Sequence, residues 1–113
     1  MSEKFSIAPA SGVHVVRAGG AVIGETVRAL MLTEHGYEPV IYFPREDAGI
    51  EFLDRSETRT NCPHKGEARH FHIAAKSGPI TDAAWSYEDP LPGAEAIKGY
   101  IAFYAEKATV EAL

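Results

Sequence analysis

The residues best equipped for chemistry stand together in one short stretch, Thr60-Asn61-Cys62-Pro63-His64-Lys65-Gly66. It holds the chain's only cysteine, with a proline, a histidine, a lysine and a glycine beside it. Arg55, Arg59, His64, Lys65 and Arg69 lie close in sequence, against Glu57 and Glu67. Excess positive charge favours the thiolate, the nucleophilic form of cysteine. His64, His70 or His72 could serve as its base. The plainer reading of Cys62 is a small buried residue at a strand end, since cysteine is among the most buried types. Lys65, just ahead of Gly66, can point its ammonium into a cleft while the backbone turns sharply. There it could bind an anion, or act as nucleophile or base once desolvated. Equally, it could close a salt bridge, for instance to Asp47, that fixes the loop.

Two further groups could serve such a site. Arg45, Glu46 and Asp47 follow a strand signal and a proline, where polar site residues often sit. An Asp47 carboxylate facing Lys65 would give a pair able to exchange a proton, or Asp47 could cap the following turn. Trp85, Tyr87, Tyr42, Tyr100 and Tyr104 supply aromatic surface. In a strand, Trp85 and Tyr87 share a face, where they could wall a pocket or belong to the core. Cys62, His64, His70 and His72 are ligand types that zinc accepts.

The elements that must position these residues read as short strands. Two β-prone runs flank Gly19-Gly20 and predict a hairpin. Thr26–Thr33 and Val40–Phe43 predict a second, with a helix as the lesser option for its first arm. Pro44 stops the second arm because proline cannot donate to a ladder. Ile50, Phe52 and Leu53 read as a short strand or anchor, and residues 54–61 as a polar link. Ala68–Ala74 pairs with Ile80–Tyr87 across Lys76-Ser77-Gly78-Pro79. Residues 88–93 form a loop, residues 94–98 one helical turn, and Tyr100–Tyr104 a last strand. Residues 1–12 read as a flexible arm, and the tail to Leu113 as frayed. No long amphipathic helix recurs between strands, so a doubly wound parallel sheet is excluded.

At 113 residues the chain suits one domain, here residues 13–113. A chain of this size buries roughly two-thirds of its unfolded surface. With 45% hydrophobic and 24% charged residues the composition is globular. A formal net charge of -5 argues against a nucleic-acid binder, which needs a dominant basic face. A lone cysteine fits a reducing compartment. No signal core or membrane-length apolar run is read, so the expectation is a soluble cytoplasmic protein without membrane contact.

Four stretches together resemble one family: Tyr42-Phe43-Pro44-Arg45-Glu46-Asp47, Cys62-Pro63-His64-Lys65-Gly66, Ala84-Trp85-Ser86-Tyr87 with Asp89-Pro90-Leu91-Pro92, and Ile97 to Tyr104. In order and spacing they resemble the domain of unknown function 427, roughly from Val13 to Tyr104. That family has carried a nucleotidyltransferase-like label, but this chain has no phosphate-cradling glycine loop and no paired metal-binding aspartates. The resemblance implies a β-tent, two antiparallel sheets meeting at an angle. Many β-tent proteins hold a structural zinc with two Cys-x-x-Cys pairs, which one cysteine cannot supply. The resemblance also implies that the positions of His64, His70 and His72 are often aromatic, which a required metal would not tolerate. No metal or cofactor is therefore expected.

These readings converge on a mainly antiparallel β domain, a β-tent or open barrel with at most short helical turns. A small-molecule pocket is expected at the Cys62–Lys65 loop, binding or acting on a small polar or anionic ligand. Cys62, Lys65 and Asp47 are its reactive candidates, and Tyr42, Arg45, Lys65, Trp85 and Tyr87 its ligand contacts. No catalytic triad or dinucleotide fingerprint is present. The alternative is a non-catalytic interaction module, with Trp85 and Pro90–Pro92 facing a peptide or a second copy in a homodimer.

Overall fold

The computed structural model describes residues 4–113. Ten strands follow in chain order: β1 (Phe5–Pro9), β2 (His14–Ala18), β3 (Ala21–Thr26), β4 (Leu30–Glu34), β5 (Val40–Tyr42), β6 (Leu53–Cys62), β7 (Gly66–Ala75), β8 (Gly78–Ser86), β9 (Ala102–Phe103) and β10 (Thr109–Ala112). Three 3-10 turns, Arg45–Asp47, Ile50–Phe52 and Glu95–Ile97, are the helical elements among the described residues. The strands form three antiparallel sheets, β1-β4-β5, β10-β2-β3 and β6-β7-β8-β9, and none closes into a barrel. The expected mainly antiparallel β fold with short helical turns is what the chain adopts.

Local chemistry explains the hairpins. Ala18 pairs with Ala21 around Gly19-Gly20, both at positive φ, the geometry of a tight primed turn. The segment ahead of Val40 is strand and not helix: Leu30, Met31 and Leu32 face Tyr42, Ile41 and Val40. Thr26 belongs to β3 instead.

Three polar segments differ from expectation. Residues 54–61, read as a link, lie within the ten-residue strand β6. Its side chains are almost all exposed, with only Ser56 buried, so no apolar alternation marks it. It is the outer strand of its sheet, and the four steps along β6 from Arg55 to Arg59 span only two steps of β7, from Phe71 to Arg69. Residues 5–9, read as part of a flexible arm, are β1, paired with β4 from Phe5↔Glu34 to Pro9↔Leu30. Phe5 and Ile7 pack against the core on its inner face. Pro9 is accommodated because β1 is an outer strand. The tail read as frayed forms β10 on β2, with Arg17 and Glu111 joined at 2.6 Å. Residues 1–3 of the arm lie outside the described residues.

Phe43 and Ile101 exchange backbone hydrogen bonds of 2.8 and 2.9 Å and join the first sheet to the third. Around that seam lie two apolar clusters. One contains Val16, Ile23, Phe43, Phe71, Ile73, Ile101 and Phe103, with Phe43 and Phe103 edge to face at 5.6 Å. The other contains Leu32, Tyr42, Ala68, Tyr87, Ile97 and Ala102, with Phe5, Cys62 and Trp85 against it. The sequence residues of chemical interest border the second.

Candidate functional site

The turn between β6 and β7 is built to hold its shape. Cys62 pairs with Gly66, and the Lys65 N–H donates to the Cys62 carbonyl at 3.3 Å. Gly66 has φ 112, a backbone conformation that L side chains rarely adopt, so the sharp turn there calls for glycine. The Leu91 N–H donates to the Lys65 carbonyl at 2.9 Å, which clamps the 88–93 loop over the turn. The Lys65 side chain is only 8% exposed. Its Nζ donates to Glu34 Oε1 at 3.1 Å and lies 5.2 Å from the centre of the Phe5 ring. Phe5 and Glu34 face one another across β1 and β4, so a single strand pair delivers both.

Asp47 is not the partner of Lys65. Its Oδ2 accepts from the Thr26 hydroxyl at 2.8 Å and from Arg28 at 3.1 Å. Close backbone packing holds it there: a Cβ on Gly24 would come within 2.8 Å of the Asp47 carbonyl oxygen. Arg45 is committed elsewhere too. It donates to Glu88 at 2.9 Å and to the Gly99 carbonyl at 3.2 Å. Arg55 shares the Glu88 carboxylate at 2.8 Å, and both guanidiniums lie over the Phe71 ring at 5.5 and 5.3 Å. The Arg55 hydrogen bond, assisted by Arg45 and opposed by partial burial, holds the Glu88 carboxyl below its ordinary pKa.

Cys62 is half-buried and packs with Tyr42 and Tyr87 in the second cluster. Tyr42 is 1% exposed. Burial pushes its hydroxyl pKa well up, and Tyr87, Cys62 and Glu34 add to the rise. The Tyr42 oxygen accepts the Trp85 indole N–H at 3.3 Å, which opposes it. Tyr87 is pushed up by burial, then by Cys62, Tyr104 and Glu34. These two phenols are neutral hydrogen-bonding groups, not bases.

The histidines do not converge with Cys62. His70 is buried, and its Nε2 is 2.9 Å from the Tyr104 hydroxyl. His72 Nδ1 accepts the Asp82 N–H at 2.9 Å. His64 is exposed on the turn. Among the described residues, no three His, Cys, Asp or Glu side chains are grouped to hold a metal.

Two hollows border these residues. One, about 490 Å³, lies at the turn between Lys4, Phe5, Pro63, His64, Leu91 and Pro92. The other, about 420 Å³, runs past Glu38, Val40, Ile41, Trp85, Tyr104 and Val110. They share no lining residue. Of the seven residues expected to line a single pocket, Tyr42, Arg45, Asp47, Cys62, Lys65, Trp85 and Tyr87, only Trp85 lines either hollow. Lys65, Cys62 and Tyr87 lie at or behind the turn, Trp85 lines the groove, and Arg45 and Asp47 belong to charged surface networks. Trp85 and the proline loop likewise border different hollows. Glu34, Glu88 and Tyr104 were not singled out as partners for these residues. Glu34 carried one usable signal, a carboxylate at a strand end ahead of a turn.

A family model described as a domain of unknown function (DUF427) matches residues 6–112, and the chain belongs to that family. No curated protein matches it.

Proposed function

We propose that this DUF427 member binds a small polar or anionic ligand in the hollow at the β6–β7 turn. The observation that carries the reading is the hollow itself, about 490 Å³, at the turn braced by Lys65 and Glu34. That volume lies within the range of small-molecule sites, which are mostly apolar with a few placed polar groups. Phe5, Pro63, Leu91 and Pro92 supply the apolar wall, and Lys4 and His64 supply donors for an anionic or carbonyl group. Lys65 acts here as a positioning residue: its ammonium is spent on Glu34. Cys62 is the reactive candidate at the turn, with neutral Tyr42 and Tyr87 behind it. Asp47 is left out, because Thr26 and Arg28 occupy it. The reading keeps the protein in the cytoplasm, where the lone thiol stays reduced, and takes the sheets as a β-tent.

A thermal-shift screen of nucleotides, sugars and carboxylates tests it, run on wild type and His64→Ala. His64 is exposed and outside the core, so the variant should fold. A ligand at a hundred times its dissociation constant stabilises by about 2.7 kcal/mol, a midpoint rise of roughly 10 °C for a domain of this size. A hit that shrinks in His64→Ala, with the unliganded midpoint unchanged, is the expected result. A panel without hits, or hits indifferent to His64, overturns the assignment.

A further inference from the structure

The groove beside Trp85 has a different chemistry from the hollow at the turn. Val40 and Ile41 of β5 and Val110 of β10 form its aliphatic walls, and Trp85 and Tyr104 its aromatic ones. Neither aromatic ring is free to turn. The Trp85 indole N–H is engaged by the buried Tyr42 hydroxyl at 3.3 Å. Tyr104 is stacked on the buried His70 ring at 5.9 Å and 18°, with its hydroxyl 2.9 Å from His70 Nε2. The Trp85 and Tyr104 rings then meet at 4.5 Å, inclined by 42°.

This leaves the groove with an unusual inventory. The polar atoms of both aromatic side chains are already engaged on the protein side. No lysine, arginine, histidine or amide side chain lines it. An anionic or carbonyl ligand would find no side-chain donor there. What remains is π surface, aliphatic surface and one charge, Glu38, which is exposed and makes no ion pair among the described residues. Aromatic faces attract cations through their quadrupole, most strongly for Trp and with alkylated ammonium groups as the usual ligands. A carboxylate at the rim adds a Coulombic partner in an already acidic protein.

We propose that the Trp85–Tyr104–Glu38 groove binds a small free organic cation of the alkylated-ammonium class. The inference is independent of the ligand proposed for the turn, since the two hollows have no residue in common. The cation's apolar shell packs on Val40, Ile41 and Val110, its charge meets the aromatic surface that Trp85 and Tyr104 leave open to the groove, and Glu38 balances it.

Trp85 is the chain's only tryptophan, so its fluorescence reports this groove alone. Choline is titrated against 3,3-dimethyl-1-butanol, which has the same shape without the charge, with sodium chloride matching ionic strength. Choline should give a saturable change in emission and bind about tenfold or more tighter than the alcohol. Glu38→Gln should weaken choline by several-fold and leave the alcohol unaffected. Equal binding of the two probes, no saturable response to choline, or indifference to Glu38→Gln overturns the proposal. Phosphatidylcholine vesicles separate a lipid headgroup from a free cation: binding to vesicles without binding to free choline also overturns it.

Discussion

The Glu34–Lys65 pair and the Arg45–Glu88–Arg55 network are both joined by hydrogen-bonded charges, yet they do different work. Lys65 is 8% exposed and Glu34 23%, and the ammonium has an aromatic ring as its other neighbour. Arg45, Arg55 and Glu88 are 37%, 45% and 30% exposed. Water competes for every bond in the network and screens its charges. At Lys65 it scarcely reaches. The buried pair therefore fixes one geometry, the approach of the β1–β4 edge to the β6–β7 turn. The exposed network adjusts local charge and can lose a member without a change of fold. Breaking a buried pair strands a desolvated charge, and that asymmetry sets the order of the expected effects.

The largest effect should come from Lys65→Ala, which leaves Glu34 facing Phe5 without its cation. A loss of about 3 kcal/mol is expected in urea denaturation. The paired replacement Lys65→Met with Glu34→Leu should recover most of it, because no charge is then left alone. If Lys65→Ala cost no more than a surface change, the pair would not be the brace described here.

Glu88→Gln should cost about 1 kcal/mol at neutral pH. Its sign with pH follows from the lowered carboxyl pKa. A depressed folded-state pKa contributes stability that is present above the ordinary carboxylate range and is lost as pH falls through the folded value. The gap between wild type and Glu88→Gln should therefore narrow in acid, seen as converging urea midpoints between neutral pH and about pH 3. A gap that widened in acid would mean that the guanidiniums do not set the Glu88 titration.

Arg17→Ala should have the smallest effect, about 0.5 kcal/mol or less, although its bond to Glu111 is the shortest of these. Both side chains are about half exposed, and high salt should erase the difference. A large, salt-resistant loss would show that β10 depends on that contact.

The strands legible in the sequence were those whose one face enters a core, such as the run ending in Tyr42-Phe43 and the strand containing Phe71 and Ile73. β6 and β10 left no such trace, since their stabilisation lies in backbone pairing with strands that the local sequence does not announce. The Cys62–Gly66 turn was visible because proline and glycine punctuate a chain. Its partner was not. Glu34 is 31 positions away from Lys65, and nothing near either residue encodes how two sheets meet. For the same reason Asp47, with a plausible charge, was matched to the wrong cation, and Trp85 was grouped with the proline loop although the two border different hollows.

β6 has a last consequence, and it concerns how copies of the molecule treat each other. An outer strand of ten residues is long enough to template another strand along its free backbone. The slip between Arg55 and Arg59 breaks that template in the middle. An incoming extended strand can keep step with the ladder above the slip or below it, not through both. Asp54, Arg55, Glu57 and Arg59 bring charge to the same stretch. The slip is thus a colloidal safeguard, keeping the longest open edge among the described residues from seeding fibres.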